Sequence, residues 1–225
     1  MLTLFHTTAS NETLFRGLLA EMGPEIPSRH VVAADLLDRA TAQGRVTADI
    51  SADVKDRMRM ALDDGARMLL CTCSTLGTCA DQMNDPRVLR IDRAMARRAV
   101  AKGGRVLVAA CVASTLDPTV TLLRESAPPG QREVPAPEIP RMETPEIETL
   151  LMADLWPRFQ AGERTLYWQG IAERLRKRAP AFDCIVLAQA SMAGAADLLS
   201  DLPIPVLSSP RIGMEAAITA YRNLR

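Results

Sequence analysis

The sequence predicts an α/β fold built from βαβ units around parallel sheets, and three observations carry that prediction. First, short runs at 2–5, 30–33, 68–72, 88–91, 105–110, 184–188 and 205–207 read as strands. Several are continuously apolar, as a parallel strand covered on both faces requires. Second, helix patterns with start and stop signals fall between them. Third, two strings repeat each other's form. LLCTCSTLG (69–77) and IVLAQASMAG (185–194) each run from an apolar strand into a small-residue turn. Aligned, they place Gln189 on Cys73, 116 positions away and about half the chain of 225 residues.

The elements follow in order. Residues 51–64 carry Val54, Met58, Ala61 and Leu62 at helical spacing, with Gly65 placed to stop the helix. Asp92 can cap a helix over 93–102, with Gly103 and Gly104 beyond its end. Pro118 suits the first turn of a helix running to about Ser126, and Pro210 does the same for 211–222. Pro128, Pro129, Pro135, Pro137, Pro140 and Pro145 crowd one segment. Proline removes backbone donors, so this segment reads as irregular, with room for a short edge strand at 132–134. Helices over 146–159 and 163–177 follow and are expected to cover the second lobe, an active-site lid being the competing reading.

Composition excludes several classes. The 27 Lys and Arg balance the 27 Asp and Glu, so no basic surplus points to nucleic acid or an anionic membrane. The N-terminal stretch lacks a basic region followed by an apolar run, and no secretory signal is expected. No apolar run approaches the length of a membrane span. Five cysteines, an odd number in apolar surroundings, fit reduced thiols in a cytoplasm better than a disulfide framework. Neither GxxxxGK[ST], GxGxxG nor GxSxG occurs.

Ligands of open α/β sheets gather where strands end and helices begin. Cys73 falls at such a point, before N–H groups of Ser74, Thr75 and Leu76 that are expected to face a helix start and lower the thiol pKa. The competing reading is a buried structural cysteine. His6 ends the first strand, from which it is expected to reach the same crevice and take the thiol proton, with Thr7 beside it. His30 reads as structural. Ser114 and Thr115 either cap a helix or bind a substrate carboxylate. Cys111 stands at the level of the crevice but reads as core, as does Cys184. The set Cys71, Cys73 and Cys79 has the wrong spacing for a zinc knuckle.

Taken together, FHTT, CSTLG, RIDRAMARRAV, VLVAACVASTLDPT and IVLAQASMAG before PVLSSPRIGMEAA make the chain resemble the aspartate/glutamate/hydantoin racemase superfamily over nearly its whole length. The resemblance implies two pseudo-symmetric Rossmann-like lobes, 1–92 plus 208–225 and 93–207, with the active site in the cleft between them. It implies cofactor-independent chemistry at the carbon next to a carboxylate of a small amino-acid-like substrate, and it allows a homodimer. The family's racemases set two cysteines on opposite faces of that carbon. Cys73 matches the first, with Ser74 in place of a common asparagine, and Gln189 replaces the second. His6 falls where glutamate racemases carry an aspartate.

The replacement has a chemical consequence. An amide does not titrate, so Gln189 cannot return a proton, although it can donate a hydrogen bond to an enolate or carboxylate oxygen. Cys73 is thus expected to be a lone thiolate base or nucleophile tuned by His6. Thr7, Ser74, Thr75, Ser114, Thr115, Gln189 and Ser191 are expected to bind substrate. A single-cysteine decarboxylase or lyase, or a non-catalytic small-ligand-binding protein, are the alternatives.

Overall fold

The structure, a computed structural model, describes residues 1–127 and 145–224. Eight strands form two four-stranded, all-parallel sheets. The first holds β1 (Leu2–His6), β2 (Ser28–Val32), β3 (Met68–Cys71) and β4 (Val88–Arg90), in the order β2-β1-β3-β4. The second holds β5 (Arg105–Ala110), β6 (Glu146–Leu151), β7 (Cys184–Leu187) and β8 (Val206–Ser208), in the order β6-β5-β7-β8. The two orders are the same, so the repeat seen between the two strings is a repeat of topology.

Each sheet buries both faces, which is why its central strands are apolar without alternation. In the first sheet Phe5, Leu69 and Cys71 pack against α2 (Ala34–Ala42) and α3 (Ala48–Asp63). Leu2, Leu4 and Leu70 pack on the opposite face against α1 (Ala9–Met22) and α10 (Ser209–Asn223). In the second sheet Leu107, Ile185 and Leu187 meet α8 (Arg164–Arg178), and Val106, Val108 and Val186 meet α5 (Arg93–Lys102) and α6 (Leu116–Ser126). The C-terminal helix α10 also packs on α5, tying the second sheet's cover to the first sheet's core. Among the described residues, no helix is long and apolar enough to cross a membrane.

Local chemistry accounts for several boundaries. Thr8 caps α1 by accepting from the Asn11 N–H at 3.1 Å. Gly65 takes φ +90° just past α3, a conformation that favours glycine. Two expectations need correction. Residues 146–159 are not one helix. Glu146–Leu151 is the edge strand β6, paired with β5, and helix resumes only at α7 (Trp156–Gln160). Ile147 leans on one core and Leu150 on the other, so tertiary pairing overrides the helical propensity of Glu and Leu. Asp92 stands at the start of α5 without capping it, because its carboxylate is taken by Arg90. The strand expected at 132–134 lies outside the described residues.

Gly213 is where α10 meets the end of the first sheet. A Cβ there would stand 2.0 Å from the Ile91 carbonyl oxygen, and backbone cannot yield as a side-chain tip can. Gly213→Ala is therefore expected to cost about 1–3 kcal/mol in denaturant titrations. Gly17→Ala, on the exposed side of α1 with nothing within 4 Å, is expected to be neutral or slightly stabilising.

Candidate active site

Register builds the site. Phe5 pairs with Cys71 in the first sheet, and Ala109 with Leu187 in the second. Two residues further along each strand, Thr7 stands beside Cys73 and Cys111 beside Gln189. Thr7 and Cys73 face Gln189 across a cleft lined from both lobes, with Thr72, Ser74, Thr75, Thr115 and Ser191 also on its walls. The space beside the thiol is about 70 Å³, so only a small group fits there. It opens past Asn11, Phe159 and Ser191 into a wider cavity of about 400 Å³.

On the first lobe the chain turns sharply after β3. The Gly77 N–H donates to the Ser74 carbonyl at 3.1 Å, and α4 (Gly77–Asp81) begins. Gly77 leaves room for a guanidinium: a Cβ there would lie 2.6 Å from Arg90 Cζ. The Thr75 and Leu76 N–H groups and the Thr7 and Thr75 hydroxyls lie about the Cys73 sulfur and favour its thiolate. Cys73 is 7% exposed. Burial raises its pKa above the ordinary thiol value and these donors only partly offset the rise, so the net effect opposes the expected lowering. At rest the group is a thiol, beside donors placed to hold the thiolate once the proton leaves.

On the second lobe, the Gln189 side-chain oxygen accepts from the N–H groups of Cys111 at 2.6 Å and Val112 at 3.0 Å. That fixes the amide orientation. The oxygen is consumed by backbone, and the NH2 is left as the donor end in the cleft wall. Ser191 lines the same wall with its hydroxyl 3.1 Å from the Tyr167 hydroxyl, and the Trp168 indole donates to the Ser191 carbonyl at 2.8 Å. Thr75 and Thr115 meet across the lobes at 3.3 Å between hydroxyl oxygens.

Two expected site residues stand elsewhere. His6 is fully buried behind the cleft, its Nδ1 2.9 Å from the Thr72 hydroxyl and its Nε2 2.9 Å from His30 Nδ1. Both ring nitrogens are engaged away from Cys73, so His6 orders Thr72 and does not pair with the thiol. Ser114 lines a separate cavity on the far side of Thr75. It belongs to a 3-10 turn, Ala113–Thr115, where successive side chains diverge by about 120°, so Ser114 and Thr115 point to different sides. Cys111 packs in the α8 core, its thiol raised to about 11 by burial, and is absent from the cleft lining. Cys71 faces the α2 and α3 core and Cys79 bonds Ser51, and among the described residues no group of three His, Cys, Asp or Glu side chains is arranged to hold a metal ion.

The cleft also contains residues that sequence reasoning missed. Thr8, Asn11 and Thr41 add polar groups, and Trp156 and Phe159 stack at 5.1 Å between ring centroids to form an aromatic wall. The chain has only two Trp and four Phe, and that scarcity was the one signal available for the pair. Among the described residues, no charged side chain lines the cleft.

The same two-lobed α/β fold occurs in solved racemases. Glutamate racemase RacE1 from Bacillus anthracis matches with TM-score 0.68 and 11% identity, over 100% of this chain and 83% of that one. An aspartate racemase from Picrophilus torridus matches with TM-score 0.67 and 13% identity, over 100% and 95%. An allantoin racemase from Pseudomonas fluorescens matches with TM-score 0.58 and 17% identity, over 99% and 91%. At these identities the likeness is one of fold. No protein-family model and no curated relative matches the sequence.

The histidine pair generates a stability prediction. Burial, then the His30 charge, lowers the His6 pKa from 6.5 to about 3, and burial first also lowers that of His30. Folded His6 therefore stays neutral while the unfolded chain takes up a proton below about pH 6.5. Stability is full above that value and falls with pH toward about 3. Most carboxylates titrate lower, and these are the only two histidines, so the window from pH 7 to pH 5 isolates them. Urea titrations are expected to show about 2 kcal/mol lost through His6 by pH 5, with His30 adding in the same direction, and a smaller loss in His6→Asn.

Proposed function

We propose that this chain is a cofactor-independent racemase- or isomerase-like enzyme. It acts at the carbon next to a carboxylate of a small amino-acid-like substrate, with Cys73 as the thiolate base or nucleophile. The observation that carries this reading is the asymmetry of the cleft, a thiol surrounded by donors on one lobe and a clamped amide on the other. The fold supports it at the level of architecture, since the proteins that share it are racemases of glutamate, aspartate and allantoin.

The roles follow from donor chemistry. Thr7, Thr75 and the Thr75 and Leu76 N–H groups stabilise the Cys73 thiolate as it forms. The thiol first gives its proton to solvent; the thiolate then takes the α-proton, and the C–H electron pair moves into an enediolate on the substrate carboxyl. The Gln189 NH2, Ser74, Thr115 and Ser191 supply neutral donors to its oxygens. Collapse returns the proton from sulfur to carbon. Gln189 contributes no proton to the opposite face, so transfer is confined to the Cys73 side, and the reaction is a one-face exchange or isomerisation within the racemase architecture and not inversion by two opposed acids.

The uncharged lining favours a second reading of the same machinery. A cleft without cations destabilises a bound carboxylate relative to neutral carbon dioxide, and Cys73 would then deliver one proton to the carbanion left behind. Loss of carbon dioxide separates this outcome from simple exchange.

The test is NMR in deuterated water with aspartate, glutamate, hydantoins, maleate and arylmalonates. Exchange or conversion of at least one of these is expected, and Cys73→Ala is expected to lower its rate by about 10²-fold or more, the scale of a lost proton-transfer group. Turnover at the wild-type rate in Cys73→Ala, or saturable binding of a panel compound with no exchange and no conversion, would contradict the enzymatic reading.

A further inference from the structure

Ser114 leads to a second cavity. Its hydroxyl is buried and has no hydrogen-bond partner, an uncommon state for an interior polar group, and the residue is only 9% exposed. The void it lines is about 580 Å³ and lies across the lobe boundary, with residues 44–55 and 75–82 from one lobe and 113–121 from the other. Lys55 and Arg45 stand on its wall. Among the described residues neither forms an ion pair, and the Lys55 ammonium meets only the Gln82 side-chain oxygen, at 3.5 Å. Thr78 and Thr121 add hydroxyls. The turn Ala113–Thr115 feeds directly into the eleven-residue helix α6, whose first turn leaves the Asp117 N–H free, the Leu116 N–H being bonded to the Ala113 carbonyl and Pro118 having none. One acid, Asp117, faces the same space and can accept from a ligand hydroxyl.

We propose that this cavity is a second binding site, for a small phosphorylated polyol, distinct from the Cys73 cleft. Lys55 and Arg45 take the phosphate, the orphaned Ser114 hydroxyl, closed off from the cavity in its present rotamer, turns about χ1 to donate to it, and Asp117 accepts from the polyol. Two cations with several hydroxyls and a single acid match that ligand class better than an apolar or cationic one. Thr75 connects the two sites. It lines both cavities, its hydroxyl meets Thr115 across the lobes, and it touches the Cys73 sulfur. Occupancy of the second site is therefore read out as a change in Cys73 reactivity. The proposal stands on this cavity's own lining and does not depend on the chemistry Cys73 performs.

The experiment uses the full chain with two probes, inorganic phosphate and glycerol 3-phosphate, against sodium chloride at matched ionic strength. Calorimetry and thermal melting report binding, and mass spectrometry reports the rate of iodoacetamide labelling at Cys73. Saturable binding with glycerol 3-phosphate tighter than phosphate is expected, together with a changed labelling rate at saturation. Ser114→Ala and Lys55→Gln are each expected to weaken binding about tenfold, as loss of a charge-assisted contact does, while melting like the wild type without ligand. Lys55 is on the surface, so its variant keeps the test valid should Ser114→Ala unfold. No saturable binding of either probe, or binding unchanged in both variants, overturns the site. Equal affinity for the two probes overturns the polyol assignment, and an unchanged labelling rate overturns the link through Thr75.

Discussion

The buried guanidinium of Arg90 is the contact on which the cleft depends. Its side chain is 2% exposed and its partner Asp92 is fully buried. Arg90 Nε and Nη2 donate to the two Asp92 carboxylate oxygens at 2.6 and 3.0 Å, and Nη1 donates to Asp81 at 2.7 Å. Asp81 ends the short helix that follows the Cys73 turn, and Asp92 opens the first helix of the second half. One cation thus fixes the Cys73 turn to the passage between sheets, with Arg93 joining Asp81 from the far side. Burying such a group costs several kcal/mol, and only full pairing offsets it, so removal of one carboxylate would strand a charge. Gly77 in CSTLG is explained by the same contact, because any side chain there would occupy the guanidinium's space.

From that anchored turn the chemistry follows by symmetry and its breaking. The two sheets share one strand order, so equivalent positions meet across the cleft, and any difference between Cys73 and Gln189 becomes a difference between the two faces of a bound molecule. The Gln189 oxygen caps the backbone N–H groups of Cys111 and Val112, which a shorter thiol side chain would leave to other partners. The glutamine is therefore integrated into its turn. Its donor end suits an oxygen that gains charge, and its lack of a titratable proton leaves proton transfer to Cys73 alone.

Much of this was legible in the sequence, for physical reasons. Continuous apolar runs such as MLLC and CIVL can be stable only as strands covered on both faces, and the repeated strand-turn strings expose the Cys73 and Gln189 correspondence directly. What stayed hidden depended on which strands are neighbours. His6 reads as a partner for Cys73 until β2 is placed beside β1, where His30 claims it. Ser114 and Thr115 are adjacent in sequence, yet the tight turn sends them to opposite sides of Thr75. The edge strand Glu146–Leu151 carries helix-forming residues, and only its pairing with β5 decides its state. The net rise of the Cys73 pKa required knowing how completely the turn is covered.

The central claim is that proton transfer occurs on one face only, and the stereochemical course of exchange tests it most directly. An enantiopure substrate that exchanges its α-proton in deuterated water would be recovered at partial conversion, and the configuration of the deuterated fraction measured by chiral chromatography with mass detection. Retention of configuration, with deuterium entering from the Cys73 side, is the predicted result. Deuterium distributed equally between both enantiomers from the earliest time points would contradict it, because a second acid would then have to act from the Gln189 side.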